Sequence, residues 1–174
     1  MLEAIITSKS RIKVLLKFFL NPDIKAYLRE ISTEFGDSTN AVRVELNRLV
    51  GAKLLKIQKD GRNVYYSANQ EHPLYPEINT ISRKATGVDS VCEWISSIGN
   101  MQRAYLSGDY ACGIDSGVID VVLIGNIDKQ AVFDKASVVE KYINRKIRPL
   151  ILTEEEFENM NSKWKSQKLL KLWG

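Results

Sequence analysis

Three short amphipathic helical patterns run directly into an Asp-Gly hairpin signal between Ser10 and Ser67, and few architectures accept that order. Ser10 to Leu20 places Ile12, Leu15, Leu16 and Phe19 at the i, i+3, i+4, i+7 spacing of one helix face. Ser8 or Ser10 can cap this helix, and Asn21-Pro22 stops it. Tyr27 to Phe35 puts Leu28, Ile31 and Phe35 on one side, and Gly36 suits the left-handed residue that closes a helix. Asp37 or Ser38 then caps a helix from Thr39 to Val50, with Val42, Leu46 and Leu49 inward and Gly51 as its end. Leu54 to Gln58 and Asn63 to Ser67 alternate apolar and polar residues around Lys59-Asp60-Gly61-Arg62.

Helices joined by a tight glycine turn and followed by a two-stranded ribbon describe a winged helix-turn-helix. With Val42, Leu46 and Leu49 in the core, the third helix turns Thr39, Asn40, Arg43 and Asn47 outward, with Ser38 at its entering end. Those side chains suit base edges and phosphates: an arginine fork fits guanine and an asparagine amide fits adenine in the major groove. Lys59 and Arg62 at the wing tip are placed for a flanking DNA backbone. The charge distribution agrees. Through Gly87 the chain carries 14 Lys and Arg against 9 Asp and Glu, and beyond it 11 against 12. The basic excess is all N-terminal, which suits a polyanionic partner. A solvated helix face and a charged loop are the plainer account of the same residues.

The segment Asp37-Ser38-Thr39-Asn40-Ala41-Val42-Arg43-Val44-Glu45-Leu46-Asn47-Arg48-Leu49, with Gly51 and Leu54-Leu55, resembles the recognition-helix signature of ArsR-like winged-helix regulators. Asp60 to Asn69 and His72 to Glu77 resemble a bacterial group in which that domain is fused to a nucleotidyltransferase-like domain. The resemblance implies a dimeric transcriptional regulator of double-stranded DNA. ArsR-like metal sensors use cysteine and histidine ligands, and residues 1–87 contain no cysteine, so metal sensing is not expected. Leu74, Ile78 and Ile81 lie four and three apart, followed by Arg83-Lys84 and Gly87. They mark a linking helix, packed either on a partner subunit or within its own chain.

Beyond it the pattern changes. Val88 to Ile98 is helical with Val91, Ile95 and Ile98 on one side and Trp94 beside them. Arg103 to Ser107 is a short strand, and Val118 to Gly125 is a β-branched run of the kind that is buried on both faces. Asp128 to Ile143 is a helix with Val132, Phe133, Ala136, Val139 and Tyr142. Ile147 to Leu152 is a strand, and Thr153 caps a helix starting at Glu154. Alternating strands and helices make an α/β layer. The expected fold is therefore α+β: a winged helix over residues 1–72, a linker helix over 73–87 and a small α/β domain over 88–174.

Tyr105 to Gly113 and Ser116 to Gly125 resemble the nucleotidyltransferase core, where a Gly-Ser turn holds phosphates and Asp-x-Asp on the next strand holds metal ions. Gly108 matches, but Asp109 stands at the serine position. Asp120 matches the second carboxylate, but Val118 stands at the first, and Lys146 to Leu152 supplies no carboxylate. Asp109 and Asp115 are the nearby carboxylates, though nothing in their spacing makes them replacements. The expectation is an inactive domain without cofactor or metal. Its cleft, around Gly108, Asp109 and Asp120, would take a nucleotide or other small ligand, or the domain would serve dimerisation. An active nucleotidyltransferase and an antitoxin-like interaction module are the alternatives.

Other classes fall away by elimination. The single histidine, His72, leaves no two-histidine metal site, and Cys92 and Cys112 make neither a disulfide framework nor a zinc site. The start MLEAIITSKSR lacks the pattern of a secretory signal, and no apolar run reaches the roughly 18–20 residues of a membrane span, so a cytoplasmic protein is expected. Ser162 to Gly174 mixes Trp164, Leu169, Leu170, Leu172 and Trp173 with Lys163, Lys165, Lys168 and Lys171. This tail is expected to pack on the α/β domain rather than lie on a membrane.

Overall fold

A computed structural model of the chain describes residues 2–160, 164 and 167–174; Lys163 and Lys165 of the tail lie outside them. The chain forms two compact units, Met1–Ala85 and Thr86–Gly174. No helix among the described residues is long and apolar enough to cross a membrane.

In the first unit, a short 3-10 turn at Leu2–Ala4 precedes α1 (Lys9–Leu20). Ser8 is its cap, its Oγ accepting from the Arg11 amide at 3.2 Å. Ser10 instead donates from its hydroxyl to Asp37 at 2.8 Å. A two-residue strand, β1 (Ala26–Tyr27), comes next, so Tyr27 enters the sheet and precedes α2 (Leu28–Phe35) rather than starting it. Gly36 closes α2 at φ 63°, a conformation open to glycine at little cost. The third helix, α3 (Thr39–Gly51), is capped by Ser38, not Asp37. It runs through Gly51, and the left-handed residue after it is Lys53, at φ 60°.

The wing is β2 (Leu55–Asp60) and β3 (Asn63–Ala68). Asp60 pairs with Asn63, so the loop is Gly61-Arg62 alone, with Gly61 at φ 57°. Glycine at the first of two loop positions is the type II′ arrangement, whose twist matches that of the strands. The Asp-Gly signal thus locates the hairpin, while the turn lies one residue further on. Three antiparallel strands, ordered β1-β3-β2, close the winged helix-turn-helix. Its core gathers Val14, Phe18 and Phe19 of α1, Ile31 of α2, Val42, Leu46 and Leu49 of α3, and Leu55 and Tyr66 of the wing. Each fully buried side chain of this kind contributes about 1.5–3 kcal/mol relative to exposure.

The linking segment is α4 (Tyr75–Thr86). It meets the core through Tyr75, whose ring lies 5.7 Å from that of Phe19, and through Ile78. Asn79 donates its amide to the Phe19 carbonyl at 2.6 Å. The expected apolar stripe divides: Ile78 is inward, while Leu74 and Ile81 are 55% and 50% exposed.

The second unit contains α5 (Val88–Ser96), β4 (Met101–Ser107), α6 (Gly108–Ala111), β5 (Val118–Gly125), α7 (Lys129–Ile143), β6 (Lys146–Leu152), α8 (Glu154–Asn159) and β7 (Leu170–Trp173). The strand order is β6-β5-β4-β7. β5 and β6 run parallel, joined by α7, and the other pairs are antiparallel. Ile119 and Val121 through Ile124 are all buried, as expected of a strand covered on both faces. Asp128 caps α7 by accepting from the Gln130 and Ala131 amides. Only Val132, Ala136 and Ile143 of that helix are buried. Phe133 and Tyr142, two of the apolar residues that mark the helix in the sequence, are 51% and 83% exposed. The end of the tail is an edge strand on β4.

Candidate nucleic-acid interface

Three ion pairs fix α1 against the helix-turn-helix. Arg11 meets Glu45 at 2.8 Å, Lys13 meets Asp37 at 3.0 Å and Lys17 meets Glu34 at 2.5 Å. Each carboxylate comes from a different part of the α2–turn–α3 path, so together they set how α3 sits on α1. Glu45 is buried and also accepts from Ser8 Oγ at 2.8 Å and from Arg48 at 3.2 Å. Burial pushes the Glu45 carboxyl up. The Arg11 and Ser8 hydrogen bonds and the Arg11 and Arg48 charges outweigh it and hold the group below the ordinary carboxylate range. Asp37 follows the same balance, with burial opposed by Ser10 and Lys13.

Both carboxyls therefore titrate lower in the folded chain than in the unfolded one. Their contribution is complete above the ordinary carboxylate range and is lost as pH falls through their folded values. Backbone amide resonances of α3 are expected to lose dispersion on acidification below about pH 4. A Glu45→Gln/Asp37→Asn variant would be less stable at neutral pH and show a shallower acid limb. An unchanged acid limb would remove these two groups as its cause.

On the opposite face of α3, Thr39, Asn40, Arg43 and Asn47 are exposed, with Ser38 at the entrance of the helix. Ser38 spends its Oγ on the Ala41 amide at 3.2 Å, so its sequence-expected contact role is shared with capping. Among the described residues, Arg43, Asn40 and Asn47 form no side-chain hydrogen bond or ion pair, whereas Arg48 on the same helix is committed to Glu45. Lys59 is exposed on β2 opposite Val64, and Arg62 is exposed in the wing loop. The fold thus places the seven sequence-expected residues on one unit, on the outer side of α3 and at the wing. His72 serves a turn: its Nδ1 accepts from the Leu74 amide at 3.1 Å.

In the second unit, Gly108 and Asp120 come together, with a partner the sequence reading missed, while Asp109 follows Gly108 in α6. Asp120 pairs with Arg148 across the parallel β5–β6 ladder. Its two carboxylate oxygens accept from Arg148 Nε at 2.6 Å and Nη2 at 2.8 Å. The Asp120 hydrogen bond and charge, with a smaller contribution from Asp109, hold the guanidinium proton more tightly than usual. Gly108 sits at φ 61°, and a Cβ there would lie 2.8 Å from Asp120 Oδ2. The adjacent carboxylate, Asp115, is engaged elsewhere. It accepts from the buried Tyr110 hydroxyl and from Arg145 at 2.9 and 2.5 Å. Burial and Asp115 push the Tyr110 hydroxyl far above its ordinary value.

A divalent-metal site of the nucleotidyltransferase kind does not fit these residues. Magnesium takes near-octahedral oxygen ligands, usually including more than one acidic group or phosphate. Here the strand carboxylate is occupied by a guanidinium, Val118 stands two residues before it, and Asp115 is held by Tyr110 and Arg145.

No family model and no curated protein matches the chain. Among solved structures it is similar to the transcriptional regulator BldR from Sulfolobus solfataricus, at 14% sequence identity and a TM-score of 0.38 over 57% of this chain and 69% of that one.

Proposed function

We propose that the chain is a sequence-specific DNA-binding transcriptional regulator whose α3 enters the major groove. Asn40 and Arg43 read base edges. Ser38, Thr39 and Asn47 contact the flanking phosphates and sugars, and Lys59 and Arg62 of the wing grip the backbone. The observation that carries this reading is the unengaged polar face of α3. Its opposite face is locked into the core, while Asn40, Arg43 and Asn47 have no partner among the described residues. The C-terminal unit acts as a catalytically inert module, since the Asp120–Arg148 pair takes the carboxylate that phosphoryl transfer would need.

Binding of the purified chain to its own upstream DNA and to a scrambled duplex, across a salt series, tests this function. A preference of about 10³-fold or more, with log affinity falling linearly with log salt, is expected. Equal binding to both duplexes at every salt concentration, repeated with nucleotides and a random-sequence pool, would overturn it. Phosphoryl transfer from labelled ATP and Mg²⁺ that Asp120→Asn abolishes would overturn the inert reading of the second unit.

Readers of this type use two copies on two half-sites. Leu74, in the turn that leads into α4, and Ile81 on α4 are both exposed large apolar side chains. They support a homodimer seam there. Leu74→Asp/Ile81→Asp is expected to convert the dimer to a monomer in sedimentation, with at least about tenfold weaker operator binding, because two linked sites become one. A variant that stays dimeric would place the seam elsewhere.

A further inference from the structure

We infer that Arg148 is a built-in substitute for a bound cation at the turn beside Gly108, compensating Asp120 without a divalent metal. This stands apart from the DNA-binding reading, because every residue involved belongs to the second unit. Three observations carry it. Asp120 and Arg148 are direct partners on adjacent parallel strands, so their side chains leave the sheet on the same face. The guanidinium forks onto both oxygens of Asp120, at 2.6 and 2.8 Å, so a metal ion at that carboxylate would have to sit against a fixed positive charge. The Gly108 turn is closed down on that same carboxylate, to within 2.8 Å of where a Cβ would stand.

Arg148 gives the Asp120 carboxylate its positive counter-charge through two hydrogen bonds. A guanidinium supplies that charge permanently, since it does not lose its proton in the accessible pH range. It also supplies a planar pair of donors matched to one carboxylate. The cost is chemical: a guanidinium cannot polarise a phosphoryl oxygen as a metal ion does, nor lower the pKa of a bound water. The pair thereby keeps Asp120 charge-compensated without supplying metal-dependent chemistry.

Thermal unfolding of the full chain, followed by tryptophan fluorescence, tests this. Trp94, Trp164 and Trp173 all belong to the second unit, so the signal reports it. Wild type, Asp120→Asn, Arg148→Ala and Arg148→Ala/Asp120→Asn would be compared with and without MnCl2, against choline chloride at matched ionic strength. The wild-type midpoint is expected not to respond to Mn²⁺. Arg148→Ala is expected to melt lower and to be raised by Mn²⁺ by about 2 °C or more, and the double variant to lose that response. A wild-type midpoint raised by Mn²⁺ and made unresponsive by Asp120→Asn would overturn the inference, since a metal would then occupy Asp120 with the arginine present. An Arg148→Ala protein indifferent to Mn²⁺ would overturn it as well. If Arg148→Ala does not fold, Arg148→Gln keeps the stem and removes the charge. Its Mn²⁺ binding, read by loss of the free-ion paramagnetic signal, decides between the same two outcomes.

Discussion

Arg43→Ala is expected to weaken binding to the specific site by about 1–3 kcal/mol, roughly 5- to 150-fold, while leaving affinity for scrambled DNA nearly unchanged. The magnitude follows from what α3 offers. Arg43 is the exposed cation in the N-terminal part of the helix with no carboxylate of its own among the described residues. Its fork is therefore available to a guanine edge without first breaking a contact. Two comparisons make the prediction specific. Arg48 lies five residues along the same helix and is tied to the buried Glu45 at 3.2 Å, so Arg48→Ala is expected to act on stability more than on sequence preference. Arg62 lies in the wing loop, and Arg62→Ala is expected to lower affinity for all duplexes alike and reduce the salt slope by about 1. Competition titrations with specific and scrambled duplexes at several salt concentrations separate the three patterns. Unchanged specific binding in both Arg43→Ala and Asn40→Ala would remove α3 as the reading helix.

Local patterns in the sequence are legible where a single element decides the outcome. The spacing of Val42, Leu46 and Leu49 alone fixes which face of α3 is buried, and so which residues are offered outward. The hairpin is equally local: Gly61 must follow the strand that Asp60 ends. What is not legible depends on partners distant in the chain. β1 is two residues long and forms only because Ala26 and Tyr27 find Tyr66 and Tyr65. β7 exists by pairing with β4, some 65 residues earlier. The α7 pattern places Phe133 and Tyr142 beside the buried positions, yet the described sheet and α5 cover only the Val132–Ala136–Ile143 side. Arg148 is the instructive omission at the candidate cleft. β6 contains no carboxylate, and its parallel register sets a cation, Arg148, beside Asp120. A charge of the opposite sign at the missing-ligand position is the signal that could have exposed it.

Among the ion pairs that tie α1 to the helix-turn-helix, the one between α1 and α2 carries the largest stability effect expected for a single change. Glu34→Ala is expected to destabilise the first unit by about 3–5 kcal/mol. Lys17 is 3% exposed, and its ammonium lies 2.8 and 2.5 Å from the two Glu34 oxygens. Removing the carboxylate takes from that buried ammonium its two contacts at 2.8 and 2.5 Å. The exposed end of the same strap behaves differently. Lys13 is 40% exposed and Asp37 22%, so Asp37→Ala frees a cation that water can solvate and costs much less. If the loss comes from an uncompensated buried charge, taking away both partners should restore most of it. Lys17→Met/Glu34→Ala is therefore expected to recover more than half of the single-variant loss, since methionine fills a comparable volume without a charge. Urea unfolding followed by far-ultraviolet circular dichroism gives the four stabilities of the cycle. Additive losses in the double variant would mean that Glu34 stabilises α2 by a route other than Lys17. Recovery would show that the hold of α2 on α1 rests on charge compensation as well as on apolar packing.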